Sequence, residues 1–164
     1  MAEASIKRLI IARFLENLKR VAPANPQPGE PYLRKVERVT DLTVAAAVTP
    51  SVQMAVSDES VVSEDFQGWE LEFLIAIKIN ISSNAKDAEG DPRRYDEADE
   101  LVQQVQAVIE NDLQLKGPDE ALATMLEYQG EQPFTNEVNA PLGGSIVFYK
   151  VKYRRYRGAP DRRY

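Results

Sequence analysis

The sequence predicts an α+β fold in which two amphipathic helices pack on one face of a mainly antiparallel sheet. Residues 69–81 alternate apolar and polar side chains, which is the pattern of a β-strand with one face in the core. Residues 3–21 and 95–113 repeat apolar side chains every three or four positions, which is the pattern of an amphipathic helix. The 164 residues are about the length of one domain. We therefore expect a single α+β domain over 1–153, followed by a basic tail over 154–164.

The long strand over 69–81 organises the predicted fold. At about 3.3 Å per residue it spans about 40 Å, whereas an ordinary strand has about 5–6 residues. It is expected to be a central strand, and part of it is expected to support something beyond the local sheet. Leu74 and Ala76 interrupt the polar face in mid-strand, so we expect a helix or a neighbouring subunit to cover that face there. The core-facing positions are Trp69, Leu71, Phe73, Ile75, Ile77, Ile79 and Ile81.

Both helices have further sequence signals. Leu9, Ile11 and Leu15 widen the apolar stripe of the first helix, so it is either deeply buried or shared between the sheet and a partner. The second helix concentrates acidic side chains in its first turns, where the helix dipole favours negative charge, and it ends before Gly117 and Pro118.

The other segments are shorter. Strands are predicted over 32–39, 52–56, 121–128 and from 147 onward, and the second of these is expected to pair antiparallel with the long strand. Helix is also possible over 121–128, because Ala, Leu and Met favour it. Residues 41–48 fit a short helix or a strand, and three consecutive alanines favour helix. Polar, Gly-rich or Pro-rich composition predicts loops over 22–31, 57–65, 82–94 and 130–144, with Gly143 and Gly144 at a turn before the last strand.

The residue types available argue against most enzyme classes. The chain has no His and no Cys, so His general bases, thiol nucleophiles, disulfides and most zinc or haem ligation are excluded. No glycine-rich phosphate-binding motif is present either. We therefore predict no catalytic residue, no cofactor and no metal, and a protein that is not an enzyme.

Two groups of carboxylates could be mistaken for sites. Asp87, Glu89 and Asp91 have the spacing of a calcium-binding loop, but Pro92 replaces the required glycine and Ala98 the bidentate glutamate. A solvated acidic loop is the better interpretation. Glu70 and Glu72 lie on the polar face of the long strand, with no nucleophile nearby in the sequence. We assign them to a wet surface or a subunit seam.

Charge is distributed unevenly along the chain. It has 20 basic and 26 acidic residues, which argues against general binding to nucleic acid or a membrane surface. Residues 150–164 nevertheless carry seven basic side chains and one acid. Three interpretations of this basic segment stay open. It could be a solvated tail, it could contact an acidic surface of the same or a neighbouring protein, or it could contact nucleic acid. The candidate partner-binding residues are Arg154, Arg155, Tyr156, Arg157, Arg162, Arg163 and Tyr164.

No secretory signal is apparent near the N-terminus, and no apolar run approaches about 18 residues. We therefore expect a soluble protein that is made in a cytoplasm and does not bind a membrane.

The order of these segments resembles that of the tail terminator proteins of long-tailed bacteriophages. The similarity covers nearly the whole chain and is one of order, length and pattern. It is carried by the segments SIKRLIIARFLENLKRV, SVQMAV, WELEFLIAIKINI, ADELVQQVQAVI and IVFYKVKY.

The resemblance implies a structural virion protein of the tail or neck, assembled in the host bacterial cytoplasm. Six copies would form a ring that caps the tail tube, ends its polymerisation and joins the tail to the head connector. The implied partners are further copies of the chain, the tail tube protein and the connector or neck protein. DNA would pass through the ring without specific binding, since acidic side chains that line a lumen repel the phosphates of DNA. The candidates for a subunit seam or lumen are Glu70, Glu72, Asp87, Glu89 and Asp91.

Two other functions stay open on the sequence. The chain could be a different neck or tail completion protein of related fold. It could instead be a small-molecule enzyme or binding module that acts through carboxylates.

Overall fold

The described part of the chain forms one mixed sheet with two helices. The computed structural model describes residues 5–21, 33–43, 48–82, 94–112, 115, 121–135, 142–159 and 161. Most strand pairs are antiparallel, so the predicted α+β class is confirmed. The elements are α1 (Ile6–Leu18), β1 (Lys35–Arg38), β2 (Ser51–Val56), β3 (Ser60–Glu64), β4 (Gly68–Ser82), α2 (Arg94–Glu110), β5 (Met125–Thr135) and β6 (Leu142–Tyr156).

Strand β4 lies at the centre of the sheet, as its length and alternation predict. The strand order is β1-β2-β4-β6-β5, and β3 pairs with β4 outside this path. Strand β6 is antiparallel to β4 along the whole of both strands, from Gly68 opposite Tyr156 to Ser82 opposite Leu142. Strand β2 also pairs antiparallel with β4, as predicted, whereas β1 pairs with β2 in parallel.

Both helices cover the face of the sheet that carries the odd-numbered residues of β4. The Phe14 ring of α1 lies edge-on to Tyr149 of β6, with 6.0 Å between the centroids. The Tyr149 hydroxyl donates to Glu110 of α2 at 3.5 Å. One buried tyrosine thus contacts both helices, and the predicted packing of the helices on one face is confirmed. No helix among the described residues is long and apolar enough to cross a membrane.

Helix α1 begins where its sequence provides a cap. The side chain of Ser5 accepts a hydrogen bond from the backbone N–H of Arg8 at 3.3 Å, which satisfies one of the unpaired donors of the first turn. Helix α2 has Asp96 and Glu97 in its first turn, in agreement with the predicted dipole effect.

Two predicted loops contain strands instead. The segment over 57–65 includes β3, whose five residues are all exposed. The segment over 130–144 is largely strand, because β5 continues to Thr135 and β6 begins at Leu142. Strand β5 passes Gly130 at a shift in register where φ is +127°, a conformation that glycine adopts without strain.

Several segment predictions fall wholly or partly outside the described residues. Among them are the loop predicted over 22–31, residues 44–47 of the predicted short helix, and nearly all of the loop predicted over 82–94. The described part of residues 41–48 is not helical.

The even face of β4 is buried at Lys78 and Asn80 rather than at Leu74. Leu74 is 43% exposed and Ala76 is half-buried, so no described helix of the same chain covers the predicted site. Cover of this site by a neighbouring subunit stays a prediction. Lys78 and Asn80 lie four residues further along the strand and are buried, although their polarity predicts exposure.

Because two tyrosines are buried, we expect the folded state to lose stability at high pH. Burial raises the pKa of Tyr149 and Tyr153 above the usual value, and the carboxylates of Glu110 and Glu59 add to this effect. The folded chain keeps both phenols protonated where the unfolded chain ionises them, so the stability they contribute is present below about pH 10 and is lost above it. We expect the free energy of unfolding to fall by about 1.4 kcal/mol per pH unit for each tyrosine above about pH 10.

Urea denaturation between about pH 9 and about pH 11 measures this loss. The variants Tyr149→Phe and Tyr153→Phe should each have a shallower pH dependence than the wild-type chain. An equal slope in all three proteins would contradict the assignment.

Candidate functional site

A hairpin formed by β3 and the start of β4 is the most exposed regular structure among the described residues. It comprises residues 60–72, with paired strands from Ser60 opposite Glu72 to Glu64 opposite Trp69. The Asp65 carboxylate accepts from the backbone N–H groups of Gln67 and Gly68 at 2.8 and 2.9 Å. An Asp at this position is what a tight turn favours, so the tip of the hairpin is locally ordered.

Apolar side chains point into solvent along this hairpin. Phe66, at the tip, is 86% exposed, and Val61 and Val62 of β3 are exposed as well. In the described part of the chain β3 pairs with β4 alone, so its outer edge offers unpaired backbone groups. Exposed apolar side chains beside a free strand edge are typical of a surface that contacts another protein.

Arg157, the residue that follows β6, contacts the turn of the hairpin. Its guanidinium donates to the Asp65 carbonyl at 3.0 Å, lies 3.8 Å from the Glu64 carboxylate and stacks 4.7 Å from the centre of the Trp69 ring. Its backbone N–H also donates to the Gln67 carbonyl at 2.9 Å. These four contacts fix the turn to the end of β6, so the hairpin is a braced projection.

The predicted basic tail is divided by the structure. Arg154, Arg155 and Tyr156 belong to β6, so the sheet extends three residues into that segment. Arg157 lies against the acidic hairpin of its own chain. Residues 162–164, which include the candidates Arg162, Arg163 and Tyr164, lie outside the described residues.

The carboxylates predicted to form a seam lie on the face of the sheet opposite the helices. Glu70 and Glu72 of β4 stand directly opposite Arg154 and Lys152 of β6. Glu70 also accepts from the Ser63 hydroxyl at 3.1 Å. This part of the sheet therefore carries both signs of charge, and opposite charges across a strand pair stabilise it. Asp87, Glu89 and Asp91 lie outside the described residues.

A buried lysine lies at the other end of the same face. Lys78 is 8% exposed, and its ammonium donates to the Leu42 carbonyl at 2.7 Å and lies 5.1 Å from the centre of the Phe134 ring. Burial lowers the pKa of Lys78, and the charge of Asp41 partly offsets this effect. A lysine with a lowered pKa can serve as a nucleophile, but this one ties β4 to the segment around Leu42.

Three buried polar residues surround this lysine on the sheet. Asn80 donates to the Gln53 side chain at 3.4 Å, and Gln53 donates to Glu37 at 3.3 Å. The Asn80 side-chain oxygen and the Ser51 hydroxyl have no hydrogen-bond partner among the residues that the structure describes. Such groups are usually satisfied by buried water. Sequence reasoning missed this polar cluster because its members occupy positions that alternation assigns to solvent.

The described residues contain no group of three or more acidic side chains arranged to hold a metal ion. Comparison of the sequence with protein-family models and with curated proteins found no match.

Proposed function

We propose that this chain is a structural virion protein, a tail terminator whose copies form a ring on the end of a phage tail tube. The observation that supports this most directly is the braced hairpin, which holds Phe66 in solvent with 86% of its surface exposed. An apolar side chain this exposed at an ordered tip favours a contact with another protein. In a ring, each copy supplies one such projection to its neighbour.

The order of elements also supports the proposal. The described chain runs from a helix through short strands to a long strand, a second helix and two closing strands. This is the order that carries the resemblance to tail terminators. Strands β4 and β6 have fifteen residues each and span about 50 Å, which suits a subunit that must reach both its neighbours and a tube beneath it.

The charge balance fits a ring that surrounds DNA. The acidic excess of the chain lowers its affinity for phosphates, so DNA can pass without being held. The basic residues Lys152 and Arg154 stand opposite carboxylates across the strand pair rather than forming a basic patch of their own.

Removing the protein from an infecting phage tests this function. Without a terminator, the tail tube has nothing to end its polymerisation, so we expect overlong tails that carry no heads. The chain supplied from a plasmid should restore normal length and attachment. The measurement is the length distribution of tails in negative-stain images.

The same images separate the alternatives. Tails of normal length that fail to join heads would indicate a neck or completion protein instead. Tails of normal length with heads attached would exclude both functions and favour a protein outside the virion.

A further inference from the structure

We propose that the hairpin of one copy binds the outward face of α1 on the next copy. The outward face is the side of α1 turned away from the sheet, with the exposed residues Arg8, Leu9, Ala12, Glu16, Lys19 and Arg20. The inference deepens the proposed function and rests on it, because it names the two surfaces that would close the ring.

The outward face of α1 combines positive charge with apolar side chains. Of its six exposed residues, Arg8, Lys19 and Arg20 are basic and Glu16 is acidic. Leu9 is 40% exposed although it lies on an ordered helix, and Ala12 is exposed one turn further on. Arg8 and Lys19 are exposed at either end of this short apolar stripe. Of the three residues that widen the apolar stripe of α1, Ile11 is buried and Leu15 packs against the core, whereas Leu9 is left exposed.

The hairpin has the complementary composition. Residues 60–72 contain four acidic side chains and no basic one, and Val61, Val62 and Phe66 are exposed among them. An apolar centre with opposite charges around it is the usual arrangement of a specific protein interface. The negative hairpin and the positive helix face match in both respects.

The hairpin cannot reach the helix of its own chain. The Lys7 ammonium donates to the Ser57 carbonyl at 3.1 Å and lies 5.0 Å from the Phe73 ring, so α1 begins at the base of the hairpin. Phe66 precedes Phe73 by seven residues, which places the tip about 20 Å further along the strand direction. The contact is therefore between copies. Because it joins two different surfaces, it is heterologous, and repeated contacts of this kind give a ring when the rotation between copies closes and a filament when it does not. The proposed terminator function requires the ring.

Cysteine cross-linking tests the contact without interference, since the chain has no cysteine of its own. The variant Ala12→Cys/Phe66→Cys has one thiol on each proposed surface, and both positions are exposed. Treated with a short bis-maleimide, it should give a ladder of covalent oligomers that ends at six. The two single variants should stop at dimers. The matched control Ala12→Cys/Leu74→Cys, with its second thiol at an exposed site on the even face, should give no ladder.

Complementary variants test whether the contact is heterologous. Val62→Asp/Phe66→Asp damages the hairpin, and Leu9→Asp/Ala12→Asp damages the helix face. Each variant alone should stay monomeric. An equimolar mixture has one intact pair of surfaces per two chains, so it should form dimers and nothing larger. All four positions are exposed, and the far-ultraviolet circular dichroism of each variant should match that of the wild-type chain.

The outcomes distinguish this inference from the proposed function. Absence of the ladder at about 1 mM protein, where even a contact with a Kd of about 1 mM forms, would overturn the proposed contact. Rings in the absence of a ladder would also overturn it, but would leave the terminator function standing. A ladder together with normal tails in the phage that lacks the protein would support the contact and exclude the terminator function.

Discussion

Replacing Gly144 with alanine should destabilise the fold by about 4 kcal/mol or more, which is a large part of the stability of an ordinary domain. A Cβ atom at this position would lie 1.8 Å from the backbone oxygen of Ile79, and φ is +154°. Strand β6 is paired with β4 here, with Gly144 opposite Asn80. Relieving the clash requires the two central strands to separate. Urea denaturation followed by circular dichroism measures the loss.

Gly130→Ala is the matched control for this prediction. Gly130 also has a positive φ, of +127°, but nothing lies within 4 Å of the position its Cβ would take. We expect it to cost about 1–2 kcal/mol from backbone strain alone. Equal losses in the two variants would show that the close approach of β6 to β4 does not matter.

Phe14→Ala should cost about 3–5 kcal/mol, because it leaves a cavity where α1 meets the sheet. Phe14 is fully buried, and its ring lies edge-on to that of Tyr149 with 6.0 Å between the centroids. This ring geometry stabilises the fold beyond the effect of burying the side chain. Tyr149 also bonds to Glu110, so losing this ring loosens the contact of both helices. The measurement is again the free energy of unfolding in urea.

Leu9→Ala on the same helix is the control for this second prediction. Leu9 is 40% exposed, so its truncation should change the stability of the isolated chain by about 0.5 kcal/mol or less. A loss as large as that of Phe14→Ala would mean that the buried and exposed faces of α1 are not as described.

Hydrophobic periodicity was sufficient to predict the main elements. The alternation over 69–81 led to β4, and the helical spacing around Phe14 and Leu101 led to α1 and α2. These patterns are reliable because each element buries one face against the same core, so its apolar spacing has to match its own geometry.

Elements that bury little could not be predicted in this way. Strand β3 is exposed on both faces, so nothing selects apolar residues at alternate positions and its composition is that of a loop. Strand β5 contains Gly130 and Pro133, which indicate a break in a central strand but are tolerated at an edge. Whether each of these two segments forms a strand depends on the strand it pairs with, and the sequence does not show that pairing.

The candidate site was only partly predictable for the same reason. The basic and aromatic composition of the tail singled out Arg157, but its contacts with Glu64 and Trp69 depend on how β6 ends beside the hairpin. Phe66 is a single apolar residue in a polar segment, and its importance depends on the turn that exposes it. Lys78 stands at a position that alternation places on the polar face, and its burial depends on its contact with the Leu42 carbonyl, which the sequence does not show.

The most direct test of this account is to measure the mass and shape of the purified full-length protein as its concentration rises. We expect assembly to six times the subunit mass, with six-fold rings in negative-stain images, because the proposed terminator function implies six copies and the hairpin and the outward face of α1 would join them in one direction. Val62→Asp/Phe66→Asp should abolish both the mass increase and the rings. A chain that stays monomeric at every concentration, both in solution and when mixed with isolated tail tubes, would contradict the account.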